Sequence, residues 1–220
     1  MDFFGPEPAD FANVTALNRA FLMRLRDPLP GERLRRCLSS RSQTSIRRLS
    51  NLQVERLSAL PYLLLSVRER DQVCWRALAD NDPNRDLLLP GDEGADEIVT
   101  ATLSFLWQLA RRNPYAVRLI SGASLNWCEQ LADYTLLTLL QRAATRNDLL
   151  QPRLANNEDF WLRLLGPGLS PDSQVRRAAH VTSLQVMLTE DPAVQYRSMK
   201  TAACSNPVPA LRVADTRRPK

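Results

Sequence analysis

Asn13-Val14-Thr15-Ala16-Leu17-Asn18-Arg19-Ala20-Phe21-Leu22-Met23-Arg24-Leu25-Arg26 carries apolar side chains at Val14, Leu17, Phe21, Leu22 and Leu25. The spacing i, i+3, i+7, i+8, i+11 is one stripe of a 3.6-residue period, so the stretch predicts an amphipathic helix stopped by Pro28 and Pro30. The same period governs most of the chain beyond it. Short helices are expected at Glu32 to Leu38 and after Asn113-Pro114, and longer ones from about Gln43, over Tyr62 to Leu78, Asp96 to Arg112, Leu125 to Thr145, Phe160 to Leu165 and Asp172 to Leu188. Ser50-Asn51 offers a cap for a fresh start inside the second helical stretch, and Asn156-Asn157-Glu158-Asp159 reads as a helix start. Alternation of apolar and polar residues is nearly absent, and the chain is expected to be all-α.

The two halves resemble each other. Phe21-Leu22-x-x-Leu25 matches Phe105-Leu106-x-x-Leu109, and Arg33-Leu34 matches Arg118-Leu119. Leu64-Leu65-x-x-Arg68 matches Leu149-Leu150-x-x-Arg153, and Trp75-x-x-Leu78 matches Trp161-x-x-Leu164, all in the same order. Two copies of one small helical unit can pack about an internal pseudo-twofold, as protomers do when they use one patch twice. The expected organisation is an N-terminal arm (1–12), a first helical unit (13–79), an acidic linker (80–97) and a second unit (98–165). A C-terminal helix (166–190) and a basic, disordered tail (191–220) complete it.

In the second unit, Leu103-Ser104-Phe105-Leu106, Ala116-x-Arg118-Leu119 before Gly122 and Ser124, and Leu131-Ala132-x-x-Thr135-Leu136-x-x-Leu139 fall in one order. Ala143-x-Thr145-x-Asn147-x-Leu149-Leu150 comes after them. This pattern resembles the flagellar master regulator family FlhD, including relatives on conjugative elements, over residues 103 to about 154. In the first unit its clearest counterpart is Arg33-Leu34-Arg35-Arg36-Cys37. The resemblance implies a dimer-forming, all-helical subunit that joins a zinc-bearing, FlhC-like partner to activate bacterial transcription. Two departures stand out. The family's inter-protomer cysteine falls at Gln151, and at Ser66 in the first copy, so no such disulfide can form; and the family has one unit where this chain has two.

Of 220 residues, 29 are cationic and 24 acidic, a net charge of +5. From Arg24 to Arg48 eight arginines face only Asp27 and Glu32, whereas from Asp80 to Glu97 seven acids face Arg85 alone. Guanidinium forks suit phosphate oxygens, and a clustered basic face releases counterions on binding duplex DNA. Arg33, Arg35, Arg36, Arg47 and Arg48 are therefore the expected phosphate contacts, with Arg68 and Arg153, recurring after Leu-Leu, next in rank. The same cluster could instead be a solvated face neutralised by the acidic linker, and Arg68 and Arg153 could each hold a carboxylate at a helix terminus. Gln43-x-x-Ile46, Leu49 and the helix after Ser50 also permit a helix-turn-helix reading with Gln53, Glu55 and Arg56 near bases, though its turn glycine is missing. Trp75 and Trp161 have core spacing and the area to anchor a partner interface.

Enzymatic readings find little support. His180 is the sole histidine, in a helix beside Arg176 and Arg177, and no glycine-rich phosphate loop is present among 7 glycines. Cys37, Cys74, Cys128 and Cys204 lack metal-ligand spacing, and Cys74 and Cys128 are expected as buried apolar side chains, so no metal or cofactor is expected. Without a secretory leader or a run of ~20 apolar residues, a cytoplasmic, membrane-free protein is expected. The reading that emerges is a non-catalytic transcriptional regulator subunit that binds double-stranded DNA with a partner and is able to form homo-oligomers. The alternative is a helical adaptor that binds another protein and never touches nucleic acid.

Overall fold

A computed structural model describes residues 5–29, 31–80 and 96–189. The expected acidic linker and basic tail, with Cys204, lie almost wholly outside these residues. Among the described residues the chain is all-α apart from one pair of two-residue strands. Its first helix, α1 (Pro8–Arg26), starts earlier than the expected arm allowed: Pro8 occupies the first turn, where no amide hydrogen is needed, and Glu7 and Asp10 close a reciprocal capping box. Then come α2 (Glu32–Arg35), α3 (Ser40–Arg47), α4 (Asn51–Ser58), β1 (Leu65–Ser66) and α5 (Gln72–Asp80).

The second half runs through the same order: α6 (Glu97–Arg112), α7 (Pro114–Ser121), α8 (Leu125–Asp133), α9 (Leu136–Ala144), β2 (Gln151–Pro152) and α10 (Glu158–Leu165). A 3-10 turn (Pro167–Leu169) and α11 (Ser173–Thr189) complete the described chain. The caps recur too. Ser39 and Ser124 cap α3 and α8, Ser50 and Thr135 cap α4 and α9, and Asn157 caps α10 as Asp71 bonds the amide of Cys74 in α5. Just after each strand one residue, Arg68 or Leu154, takes a left-handed backbone (φ 58° and 48°), and its carbonyl accepts from Asp71 or Asn157 at 2.8 Å. The conformational equivalent of Arg68 is thus Leu154, one residue beyond the expected Arg153.

The halves interlock. The long helices α1 and α6 lie antiparallel and are clipped at both ends, by Arg112 to Glu7 and Asp10 and by Arg24 to Asp96. β1 and β2 pair antiparallel with Leu65 opposite Pro152 and Ser66 opposite Gln151. At the 86-residue offset that relates Trp75 to Trp161, each residue faces the equivalent of its neighbour, the pattern of an isologous contact. Pro152 has no amide hydrogen to offer, which helps keep this ladder to two residues. Helix α10 crosses to pack on α3 of the first half, while α5 reaches α9 and sets Trp75 against Trp127 of α8. One apolar cluster therefore runs through both halves instead of dividing into two.

Two expected helices differ. Leu125 to Thr145 is broken at Tyr134, where Thr135 starts a new helix. Tyr62 to Leu65, expected as the start of a helix, is non-helical and fully buried. Four consecutive apolar residues surrounded on all sides cannot sit on one face of a helix. Their backbone groups find partners elsewhere: Asn18 donates to the Tyr62 carbonyl at 2.8 Å and accepts from the Leu64 amide at 2.7 Å, and the Leu63 amide donates to the Ile120 carbonyl.

Arg153 supplies partners for three of the carbonyls. It is only 2% exposed; its amide donates to the Leu64 carbonyl at 2.8 Å, its Nε to Leu63 at 2.5 Å and its Nη2 to Leu65 at 2.6 Å. Nη1 donates to the Ser121 carbonyl and, at 2.6 Å, to the Glu69 carboxylate, which is itself buried. Removing one partner of such a pair strands the other charge in an apolar interior. Arg153→Met is expected to lower unfolding free energy by about 3–5 kcal/mol, and adding Glu69→Gln to recover part of the loss, read by urea titration of tryptophan fluorescence.

Candidate functional site

The basic face and the tryptophans must be separated residue by residue. Arg33, Arg41, Arg47 and Arg48, on α2, on α3 and at its C-cap, are exposed and have no acidic partner among the described residues. Arg36 is exposed as well, paired at 2.7 Å with Glu32 one turn back. The hydrogen bond and charge of Arg36 hold the Glu32 carboxyl below its usual range, and Arg35 and Arg47 act in the same direction, so α2 and the end of α3 share one field. Five guanidinium groups thus remain available on neighbouring short helices.

Arg35 is a correction. It is 1% exposed and donates to the carbonyls of Leu25, Asp27 and Pro28, closing the turn after α1, so no phosphate can reach it. Gly31 makes room for it: a Cβ there would lie 2.5 Å from Arg35 Nη1 and 2.2 Å from the Arg24 carbonyl oxygen. Arg153 is a second correction, since it is buried and each of its three guanidinium nitrogens is engaged in the interior. Arg68 is mostly buried and holds two carboxylates, Asp71 at 2.5 Å and Asp148, the latter also bound by Arg146. Arg68 accordingly keeps the carboxylate role at the α5 terminus and is not free for DNA.

The contacts of α4 favour two ordinary packed helices over the helix-turn-helix reading. Gln53 closes the capping box with Ser50, Glu55 pairs with Arg19 of α1 at 2.6 Å, and Arg56 reaches the Leu169 carbonyl. Helix α4 packs along α1.

Trp161 is 1% exposed, bonds the Arg153 carbonyl at 2.8 Å and stands edge-on to Phe160; it belongs to the core and is corrected as an interface residue. Trp75 bonds the Arg68 carbonyl at 3.0 Å and meets Trp127 edge-to-face at 5.1 Å and 77°. This pair floors a cleft of about 790 Å³ between α5 and the α7–α8 corner. Leu131 and Leu188 add apolar walls, and Arg76, Arg118, Gln130 and Asp133 supply polar ones. The corner depends on Gly122, whose left-handed φ of 65° ends α7 and whose carbonyl accepts from Arg70 at 3.0 Å. The i, i+3 spacing of Trp75 and Leu78 was the only signal of this cleft in the sequence, because its other wall comes from the second half.

Cys74 and Cys128 are buried as expected, and burial pushes both thiols up, Cys128 to about 12. Among the described residues no group of three His, Cys, Asp or Glu side chains is placed to hold a metal ion, and no helix is long and apolar enough to cross a membrane. No family model, curated protein or solved structure matches the chain.

His180 lies half-buried with Nε2 3.0 Å from the Gly168 carbonyl, joining α11 to the 3-10 turn. Burial holds its pKa below 6.5; the Gly168 carbonyl opposes the shift and Arg176 adds to it. The unfolded chain thus takes up this proton first, so the His180 contribution is whole above 6.5 and is lost as pH falls through the depressed folded value. Between about pH 7.5 and about pH 5.5, wild type is expected to lose more stability than His180→Gln, measured by thermal denaturation across that range.

Proposed function

We propose that this chain is a non-catalytic subunit of a bacterial, cytoplasmic transcriptional regulator, built as a tandem duplication of an FlhD-like unit and acting on promoter DNA with a partner protein. The observation that carries the reading is the set of exposed arginines on α2 and α3, Arg33, Arg36, Arg47 and Arg48, joined by Arg41. Short neighbouring helices with exposed guanidinium groups suit successive phosphates, which fix register without reading sequence. Base recognition then falls to the partner, for which an FlhC-like zinc protein is the family's precedent. The recurrence of element order and the isologous strand pair support the duplication and a two-fold frame like that of a dimer.

A second reading, the protein adaptor, is favoured by one observation: the tryptophan-floored cleft has the size of a ligand site and lies away from the α2–α3 arginines in sequence and fold. The cleft suits either reading, because a regulator subunit also needs a protein contact; the two part on whether the chain touches duplex DNA.

Phosphate binding has a salt signature. Duplex affinity, alone or with a co-encoded partner, is expected to fall linearly on a log–log plot against salt. Arg33→Ala/Arg47→Ala/Arg48→Ala flattens the slope by about 0.9 per lost phosphate contact, roughly 2 to 3 in all. Arg35→Ala is expected to destabilise the fold without this signature. Absence of salt-sensitive binding to duplex DNA in both settings overturns the DNA reading.

A further inference from the structure

We propose that the cleft between α5 and α8 is the docking groove for an acidic, amphipathic helical segment of a partner protein. This rests on the partner-binding half of the function proposed above and not on DNA contact. Its walls are helix faces: Gln72, Trp75, Arg76 and Ala79 occupy i, i+3, i+4, i+7 along α5, and Asn126, Trp127, Gln130 and Leu131 occupy i, i+1, i+4, i+5 along α8. A third helix can lie along such a groove, over the Trp75–Trp127 contact that joins its two walls.

By the repeated plan, one place is left uncovered among the described residues. On the other side of the molecule the equivalent helices, α10 and α3, pack directly on each other, and α10 is covered in addition by α11 and the 3-10 turn. Helix α5 has no such cover among the described residues, and its separation from α8 leaves about 790 Å³.

Charge selects the occupant. Arg76 and Arg118 stand exposed on the lining with no acidic partner among the described residues. Of the lining carboxylates, Glu69 is already neutralised by Arg153, which leaves Asp133. The groove is therefore cationic over an apolar floor of Trp75, Trp127, Leu131 and Leu188. The two indoles are buried and set edge-to-face against each other, so they offer aliphatic side chains a surface but do not present open faces for stacked bases. An acidic helix with a leucine stripe satisfies both features, and tryptophan and arginine are the residues that concentrate binding energy at interfaces.

The test uses the full chain and a fluorescein-labelled model helix of roughly 16 residues, with leucines at i, i+3, i+4, i+7 and glutamates elsewhere, beside its glutamine analogue. Anisotropy is read at about 0.15 M salt. The glutamate peptide is expected to bind at least about tenfold more tightly than the glutamine peptide. Arg76→Glu/Arg118→Glu, both exposed positions, removes that preference with an unchanged thermal midpoint, and Gln130→Trp blocks binding by filling the groove. Arg33→Ala/Arg47→Ala/Arg48→Ala leaves peptide binding intact, so loss of DNA binding and loss of docking are told apart. Equal binding of the two peptides, no binding of either, or indifference to the Arg76/Arg118 reversal overturns the proposal. So does occlusion of the exposed Arg76 and Arg118 by self-association of the chain, or displacement of the peptide by a single-stranded oligonucleotide.

Discussion

One guanidinium holds the two halves in register. Arg153 belongs to the second half, yet its donors serve the carbonyls of Leu63, Leu64 and Leu65 and the carboxylate of Glu69 in the first. A buried extended segment without a full ladder must satisfy its backbone by other means, because an unmet polar group in the interior costs more than a hydrogen bond returns. Arg153 and Asn18 do so together. The non-helical run 62–65 exists on those terms, and α5, next in the chain, is delivered to the second half's surface as a result.

The exchange of α5 and α10 between halves has its origin in the same constraint. With β1 and β2 paired antiparallel, each chain segment leaves its strand and turns through a left-handed residue into a capped helix. Local chemistry at the two turns differs, aspartate and arginine in one and asparagine and leucine in the other, yet the hydrogen-bond plan is the same. Among the described residues the difference between the halves lies in what covers the delivered helix: α11 on one side, a cleft on the other.

Arginine carries two kinds of work in this molecule. Arg35, Arg70 and Arg153 point inward and saturate backbone carbonyls at turns, with the charge balanced, in the case of Arg153, by Glu69. Arg33, Arg41, Arg47, Arg48, Arg76 and Arg118 point outward, without a carboxylate among the described residues. The outward set divides between the α2–α3 surface and the α5–α8 cleft.

Much of the helical plan was legible by itself. The stripes of α1 and α6, the caps at Ser50, Asn113 and Asn157, the paired Trp-x-x-Leu motifs and the buried Cys74 and Cys128 rest on relations within about four residues, where helix geometry and capping act. Tertiary structure alone decided that Tyr62 to Leu65 is extended, that Arg35 and Arg153 are interior while Arg33 is not, and that Trp127 meets Trp75. The reason is physical. Whether an arginine is solvated or buried, and whether an apolar run coils or extends, depends on which distant carbonyls and carboxylates reach it, and those partners lie far away along the chain.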